Sequence, residues 1–440
     1  MVKLPKDAGR IIKILMDKGF QAYAVGGCVR DSLLGLHPYD WDIATSARLE
    51  ELKKLFPEAK IISEKYSVVR LENIRELYDE DGNFAGEEGA IVDIATFRKD
   101  GVYSDGRRPD EVVFVSSIEE DLPRRDFTMN AIADNGYQVV DTFGGIADIR
   151  QKLIRTIGKA DERFQEDPIR MMRAVRFAAE LGFDLHKDVY EAILANRELL
   201  ERVSTDRLRT EFVRLMAAPH AGKGLSMVVD TGIINLILGN EIVASLTRRE
   251  KSDLSVLCRN IDRSQQVPER RLGLLYTCMS RKKAEAAIER MNYDKETRQH
   301  LMDAAKDMPK LYFTCQPHEL KKFIYERGWD RYNYLASLEK AQRIVFDYFS
   351  DTKIKSKMFM VDEIKRKQEA IFVEDLAIDG SDLKDAGICE GEEIGKMLHM
   401  LTESVHIRPA DNNRKALLAL ARKYKRNKLA AMTRNIKWLR

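Results

Sequence analysis

Hydrophobic and polar positions change their rhythm about a third of the way along the chain. Up to residue 155 the apolar residues fall in short β-rich runs, "AYAVGG", "WDIATS", "KIISEKYSVVRLE", "AIVDIATFR", "EVVFVSS" and "YQVVDTF", each bounded by turn residues. After residue 156 the strand signals fade. "DERFQEDPIRMMRAVRFAAELGF", "DVYEAILANRELLERV", "STDRLRTEFVRLM" and nearly everything that follows carry helical spacing. The pattern predicts an α+β fold: a mixed β-sheet head over residues 1–155, a boundary near Gly158, and an all-α remainder with a second break between Pro309 and Pro317. The acidic, Gly-bearing insertion 77–90 reads as a hairpin-type loop.

One of the β-rich runs carries an unusual charge arrangement. In "DWDIATS" the side chains of Asp40 and Asp42 share one face of a strand, with Trp41 and Ile43 on the other. Alone, Asp-x-Asp says little, because about 11 acidic-x-acidic triplets are expected by chance in such a composition. On one strand face, however, two carboxylates about 6 Å apart repel by roughly 3 kcal/mol at an effective dielectric near 20. That equals about two pKa units for keeping both ionised. A hard divalent cation cancels the repulsion, and an all-oxygen donor set suits Mg²⁺. Water around an exposed pair is the plainer relief.

Upstream, "AVGGCVRD" places Gly26 and Gly27 after a strand and at the start of a helix, where backbone N–H groups can approach an anion. Arg30 adds a fixed cation. A Gly-Gly turn beside a paired-carboxylate strand predicts a triphosphate and metal held side by side, as in two-metal phosphoryl transfer. Asp93, on "AIVDIATFR", can lie beside the first pair as a third carboxylate. In "RRDFTMNAIA", Arg125 can reach ribose or phosphate; a surface ion pair with Asp126 is the alternative.

Taken in order and spacing, "GGCVRD", "DWDIA", "DGRRPD", "RRDFTMNAIA" and "EDPIRMMRAVRF" resemble the class II tRNA nucleotidyltransferase family, which holds CCA-adding enzymes, A-adding and CC-adding relatives, and bacterial poly(A) polymerases. The motif-bearing match runs from about residue 20 to 215; later, "DLAIDGSDLKDAGI" and "GEEIGKML" resemble bacterial tail segments. The resemblance implies a nucleotidyltransferase-type head (1–155), a neck bearing the nucleotide-selecting motif (156–217), a body (218–315) and a tRNA-binding tail (316–440). It implies Mg²⁺ on the catalytic Asp40 and Asp42 and a nucleotide site made from Gly27, Arg30, Arg125, Asp167, Arg170, Arg173 and Arg176, to which the reading of the residues adds Gly26 and, as a third catalytic carboxylate, Asp93. The implied partners are ATP, CTP and the 3′ acceptor end of tRNA.

The neck motif also has a reading of its own. Asp167, Arg170, Arg173 and Arg176 recur every three residues, each about 60° around a helix from the last, beside the apolar Ile169, Met172, Val175 and Phe177. A salt-bridged surface helix with an Asp167–Arg170 pair at i, i+3 is one reading. The other is recognition of a base. A carboxylate accepts from an exocyclic amine and a guanidinium donates to a ring nitrogen, which fits adenine and cytosine; uracil and guanine would leave buried groups unpaired at about 1–3 kcal/mol each.

Composition narrows the setting. The 440 residues are 44% hydrophobic and 33% charged with a net charge of only +3. Ten of the 74 basic residues lie between Asn412 and Arg440, where no Asp or Glu occurs, leaving 64 basic against 71 acidic residues elsewhere. That basic segment, with Tyr424 and Trp438, is a candidate RNA clamp, or simply a solvated helix end. Five scattered cysteines indicate neither a disulfide framework nor a zinc site. The N-terminus is an amphipathic helix carrying charges throughout, and no apolar run approaches the roughly 18 residues of a membrane span, so a cytoplasmic setting with no membrane and no evident protein partner is expected. Two departures from the family are visible. The Gly-x-x-His-Gly-Thr type segment is replaced by "SEKYSVVRLE", while "RKDGVYSDGRRPDE" resembles the flexible loop that CC-adding members lack. Full CCA addition is the reading, with A-only addition and poly(A) synthesis behind it. A catalytically retired RNA-binding protein, and a transferase acting on small molecules, are the readings from other classes.

Overall fold

The structure is a computed structural model that describes residues 4–38, 40–72, 91–101, 111–347 and 351–436. The insertion 77–90, most of the loop 98–111 and Trp438 lie outside the described residues. Two compact units are present, residues 1–245 with 290–292, and residues 246–289 with 293–440.

The first unit is built on a mixed sheet of seven strands. In chain order these are β1 (Ala22–Val25), β2 (Asp40–Thr45), β3 (Lys60–Ser63), β4 (Val68–Leu71), β5 (Ile91–Thr96), then β8 (Ala133–Asp134) and β9 (Val139–Val140), after the separate ribbon of β6 (Arg98–Asp100) and β7 (Val112–Phe114). The spatial order is β3-β4-β5-β2-β1-β8-β9, and only β2 and β5 pair in parallel. The alternation read from the sequence explains the core. Trp41 and Ile43 of β2, Val92 and Ile94 of β5 and Val69 and Leu71 of β4 are all buried, which leaves the intervening residues on the other face. On that face the register sets Asp42 opposite Asp93 and Asp93 opposite Arg70.

"KIISEKYSVVRLE" is not one strand but the hairpin β3–β4, with Ser67 at the turn in a left-handed conformation (φ 48°). The region around residue 155 is knitted together, since β10 (Leu153–Ile154) pairs in parallel with β11 (Asp184–Leu185) and Phe127 bridges to Thr156. β11 is a two-residue strand inside the stretch expected to be all helical. Its bonds run from the N–H groups of Asp184 and His186 to Lys152 and Ile154. The helices Ile169–Leu181 and Thr205–Ala217 pack against each other close behind.

The second unit is helical. Its long helices Lys295–Phe313 and Trp329–Val345 pack together, and a separate cluster including Leu383, Leu401, Val405, Leu417 and Ala421 forms a core nearer the C-terminus. Among the described residues no helix is long and apolar enough to cross a membrane.

Candidate active site

A cleft of about 620 Å³ in the first unit collects Gly26, Gly27, Arg30, Asp40, Asp42, Arg125, Asp167, Arg170, Arg173 and Arg176. Of the site residues expected from the sequence, Asp93 alone is absent from its lining.

Gly26 ends β1 with φ +82°, and the helix Gly27–Leu33 begins directly after it. That backbone conformation favours glycine, and a Cβ there would stand 3.1 Å from Nη1 of Arg125 and 3.8 Å from Oδ2 of Asp42, close beside both groups. Asp40 and Asp42 project from β2 to the cleft side while Trp41 enters the core. Asp42 opens to the cleft, yet protein surrounds most of it. Burial raises its carboxyl above the usual value, Arg125 opposes, and the charges of Asp93 and Asp40 push it further up. Cys28 stands beside this pair with its thiol pushed up to about 12 by burial, so it remains a neutral packing group.

Asp93 takes a different partner. Its Oδ1 accepts from Nε of Arg70 at 2.7 Å and its Oδ2 from Nη2 at 2.8 Å, a two-bond fork. Among the described residues no three His, Cys, Asp or Glu side chains form a ready cation cage. Asp40 and Asp42, the two carboxylates that β2 turns to the cleft, could hold a divalent ion whose shell substrate phosphates complete.

The arginines are fixed by partners that the sequence did not disclose. Arg30 donates from Nη1 to Oδ1 of Asn130 at 2.7 Å and from Nε to Asp31 at 2.8 Å. Asn130 donates to Oδ1 of Asp126 at 2.9 Å, and Oδ2 of Asp126 accepts from Nε and Nη2 of Arg173 at 2.9 and 2.6 Å. A continuous polar chain thus links Arg30 to Arg173. Burial raises the Asp126 carboxyl, but the charge and bonds of Arg173, Asn130 and the Phe127 N–H outweigh it and bring it down to about 2. The Arg125–Asp126 pair, the alternative reading of this segment, is not formed. Arg125 pairs instead with buried Asp121 at 3.3 Å, and its Nε is buried without a partner.

The Asp167–Arg170 pair considered for a continuous helix is also absent. Asp167 precedes Pro168 and is extended (φ −142°, ψ 98°), so it lies outside the helix Ile169–Leu181, where i, i+3 spacing no longer applies. Its Oδ2 accepts from Arg207 at 2.8 Å, while its Oδ1 is buried with no partner. Arg170 donates instead to Glu166 at 2.6 Å and to the carbonyl of Arg163 at 3.1 Å. Nor is the arginine band a solvated face. Arg170 and Arg176 are buried, and Arg176 is held by Glu211 and Glu180. Three guanidiniums surround the ring of Phe177, at 5.0 Å for Arg30, 5.5 Å for Arg173 and 3.9 Å for Arg176.

The Poly A polymerase head domain family matches residues 22–155, and the family described as the probable RNA and SrmB-binding site of polymerase A matches residues 182–244. A CCA-adding enzyme of Streptococcus pyogenes serotype M2 is 33% identical over 435 residues, 96% of this chain and 98% of that one. The chain belongs to the CCA-adding enzymes. A Geobacillus kaustophilus CCA-adding enzyme is 42% identical over 265 residues, an alignment that takes in 57% of this chain and 62% of the relative. The Bacillus stearothermophilus CCA-adding enzyme, solved in complex with CTP, superposes with a TM-score of 0.75 at 28% identity, over 98% of this chain and all of that one. A Thermotoga maritima CCA-adding enzyme complexed with tRNA shares the fold, with a TM-score of 0.63 at 22% identity over 94% of each chain.

A divalent metal is general to these nucleotidyltransferases. The residues of this chain fit such an ion: Asp40 and Asp42 offer oxygen donors only, and the crowded carboxylate charge is one that a cation would relieve. Asp126, Asn130 and Arg207 also line the cleft, while Glu166, Glu211 and Arg70, outside the lining, hold Arg170, Arg176 and Asp93. The sequence carried a signal for some of them only in hindsight, Asn130 and Asp126 inside "RRDFTMNAIA", and Arg207 and Glu211 at i, i+4 in "STDRLRTEFVRLM".

Proposed function

We propose that this chain completes tRNA 3′ ends by adding CMP and AMP from CTP and ATP, with Mg²⁺ as its cation. The observation that carries the reading is the buried, unpartnered Oδ1 of Asp167 in the same cleft as Asp40 and Asp42. An acceptor without a donor is costly to bury, and the exocyclic amine of cytosine or adenine supplies the missing donor. Arg207 holds the other oxygen of Asp167, and Glu166 orients the guanidinium of Arg170, so both base-reading groups are set before substrate arrives.

Asp40 and Asp42 hold the cation. When bound, that cation supplies the charge that eases deprotonation of the primer 3′-hydroxyl and stabilises the departing pyrophosphate. Arg30 and Arg125, beside Gly26 and Gly27, offer cations to the triphosphate, and Asp93 stands next to Asp42 as the third carboxylate. The neck, body and tail are read as the elements that hold tRNA, with the basic C-terminal helix Arg414–Ile436 facing phosphate. Incorporation on a tRNA ending at the discriminator base is the test, with CTP, ATP and UTP offered singly and together. The reading expects two C residues from CTP alone, CCA from CTP with ATP, and nothing from UTP. Addition of A alone to a CC end assigns an A-adding enzyme, and a long A tract assigns a poly(A) polymerase.

A further inference from the structure

Arg70 occupies the position on β4 directly opposite Asp93, and Asp93 lies directly opposite Asp42 on β2. Three residues on adjoining strands thus place two carboxylates and one guanidinium in a row on the cleft-side face. The guanidinium takes both oxygens of Asp93, at 2.7 and 2.8 Å, and the charges of Asp40 and Glu72 act on it as well. Arg125 and, more weakly, Arg124 are the cations that act on Asp42.

We infer that Arg70 is a counter-cation latch: it neutralises Asp93 while the metal site is empty and must yield that carboxylate for a divalent cation to gain its third protein ligand. The inference rests on the proposed metal role of Asp40 and Asp42 and extends it to a residue outside the cleft lining. Its physical basis is competition. A forked guanidinium and a metal ion both seek the same carboxylate oxygens, and the fork aligns those oxygens along one edge. Arg70 and Asp93 each keep about a third of their side-chain surface exposed, 32% and 27%, so the fork is screened by water and can open. In a charge row of this kind, removing the competitor increases affinity for the cation and leaves the fold intact.

The test is Mn²⁺ binding to the full-length chain without nucleotide, followed by paramagnetic resonance of the free ion, with thermal melting as a control for folding. Arg70→Gln is expected to bind Mn²⁺ about fivefold more tightly than the unaltered chain, the scale of an exposed ion pair. Adding Asp93→Asn to Arg70→Gln removes that gain. Arg70→Lys keeps the charge but cannot form the fork; it gains less than Arg70→Gln and serves if the glutamine variant fails to fold. Unchanged or weaker Mn²⁺ binding in the Arg70 variants overturns the latch. Asp42→Asn separates this failure from a failure of the metal site itself. If Asp42→Asn retains full Mn²⁺ affinity, the metal reading falls; if it loses affinity while the Arg70 variants match the unaltered chain, only the latch falls. The same displacement lowers the Mg²⁺ concentration needed for half-maximal incorporation by Arg70→Gln.

Discussion

Asp42 carries two demands that conflict. It must stay ionised to hold a cation, yet burial and the neighbouring charges of Asp93 and Asp40 raise its carboxyl. The folded carboxyl therefore titrates above the unfolded one, so at neutral pH its charge costs stability, and the cost fades as pH falls through the folded value. Asp42→Asn should lower nucleotide incorporation by at least about 10³-fold, the equivalent of about 4 kcal/mol. In metal-free buffer the same change should raise Tm, the opposing trend of function and stability expected where a site is electrostatically strained. Calorimetry of both proteins with a chelator checks the sign, and an equal or lower Tm contradicts it. Asp167 belongs to the same scale. Asp167→Asn can present a donor where an acceptor stood, so discrimination against UTP should fall by roughly 5- to 150-fold, matching about 1–3 kcal/mol for an unpaired buried group. Competition kinetics with CTP and UTP measures it.

Asp40, Asp42 and the arginine series could be read in advance because strand alternation and helical spacing put them on defined faces. Their bonding partners could not. Asp167 and Arg170 look like an i, i+3 pair only until Pro168 removes Asp167 from the helix, and Arg207, forty residues on, then takes its place. Asn130 lies inside "RRDFTMNAIA", but only the fold brings it between Arg30 and Asp126.

Among the elements, the helix Ile169–Leu181 and the segment carrying Asp126 are joined by a half-buried ion pair, Asp126 with Arg173. Asp126 titrates at about 2 in the folded chain, below the ordinary carboxylate value near 3.9. The depressed pKa contributes stability at neutral pH that is lost as pH falls from about 4 towards 2, on the order of 2 kcal/mol. Asp126→Asn should therefore cost about that much at pH 7, and the difference between the two proteins should shrink below pH 4. Denaturant titrations at the two pH values decide it. Sheet and helices were legible as element types, because period-2 and period-3.6 patterns are strong over these runs. The β3–β4 turn and the two-residue β11 were not, since a single left-handed Ser67 and two backbone bonds leave no periodic trace.

For the whole molecule, the asymmetry of charge is the feature most relevant to RNA. Tyr424 is held in place, because its hydroxyl pairs with Ser404 at 2.6 Å and its ring packs on the C-terminal core. Leu417 and Ala421 anchor the same helix, while Arg422, Lys423 and Arg426 stand exposed. The helix is therefore anchored on one side and basic on the other, which suits binding to the RNA backbone better than base stacking. Replacing Arg422, Lys423 and Arg426 with Gln should weaken tRNA binding and flatten its dependence on salt, by about one unit in the log–log slope for each phosphate no longer neutralised. Gel shifts across a salt series test this, and an unchanged slope removes the helix from the RNA surface.

The most direct test of the account is anomalous diffraction from crystals of the full chain grown with Mn²⁺ and CTP. The account predicts a cation within about 2.2 Å of oxygens from both Asp40 and Asp42 and of the triphosphate, with the cytosine amine at Oδ1 of Asp167. A cation bound elsewhere, with those carboxylates turned to solvent and the base away from Asp167, would contradict it.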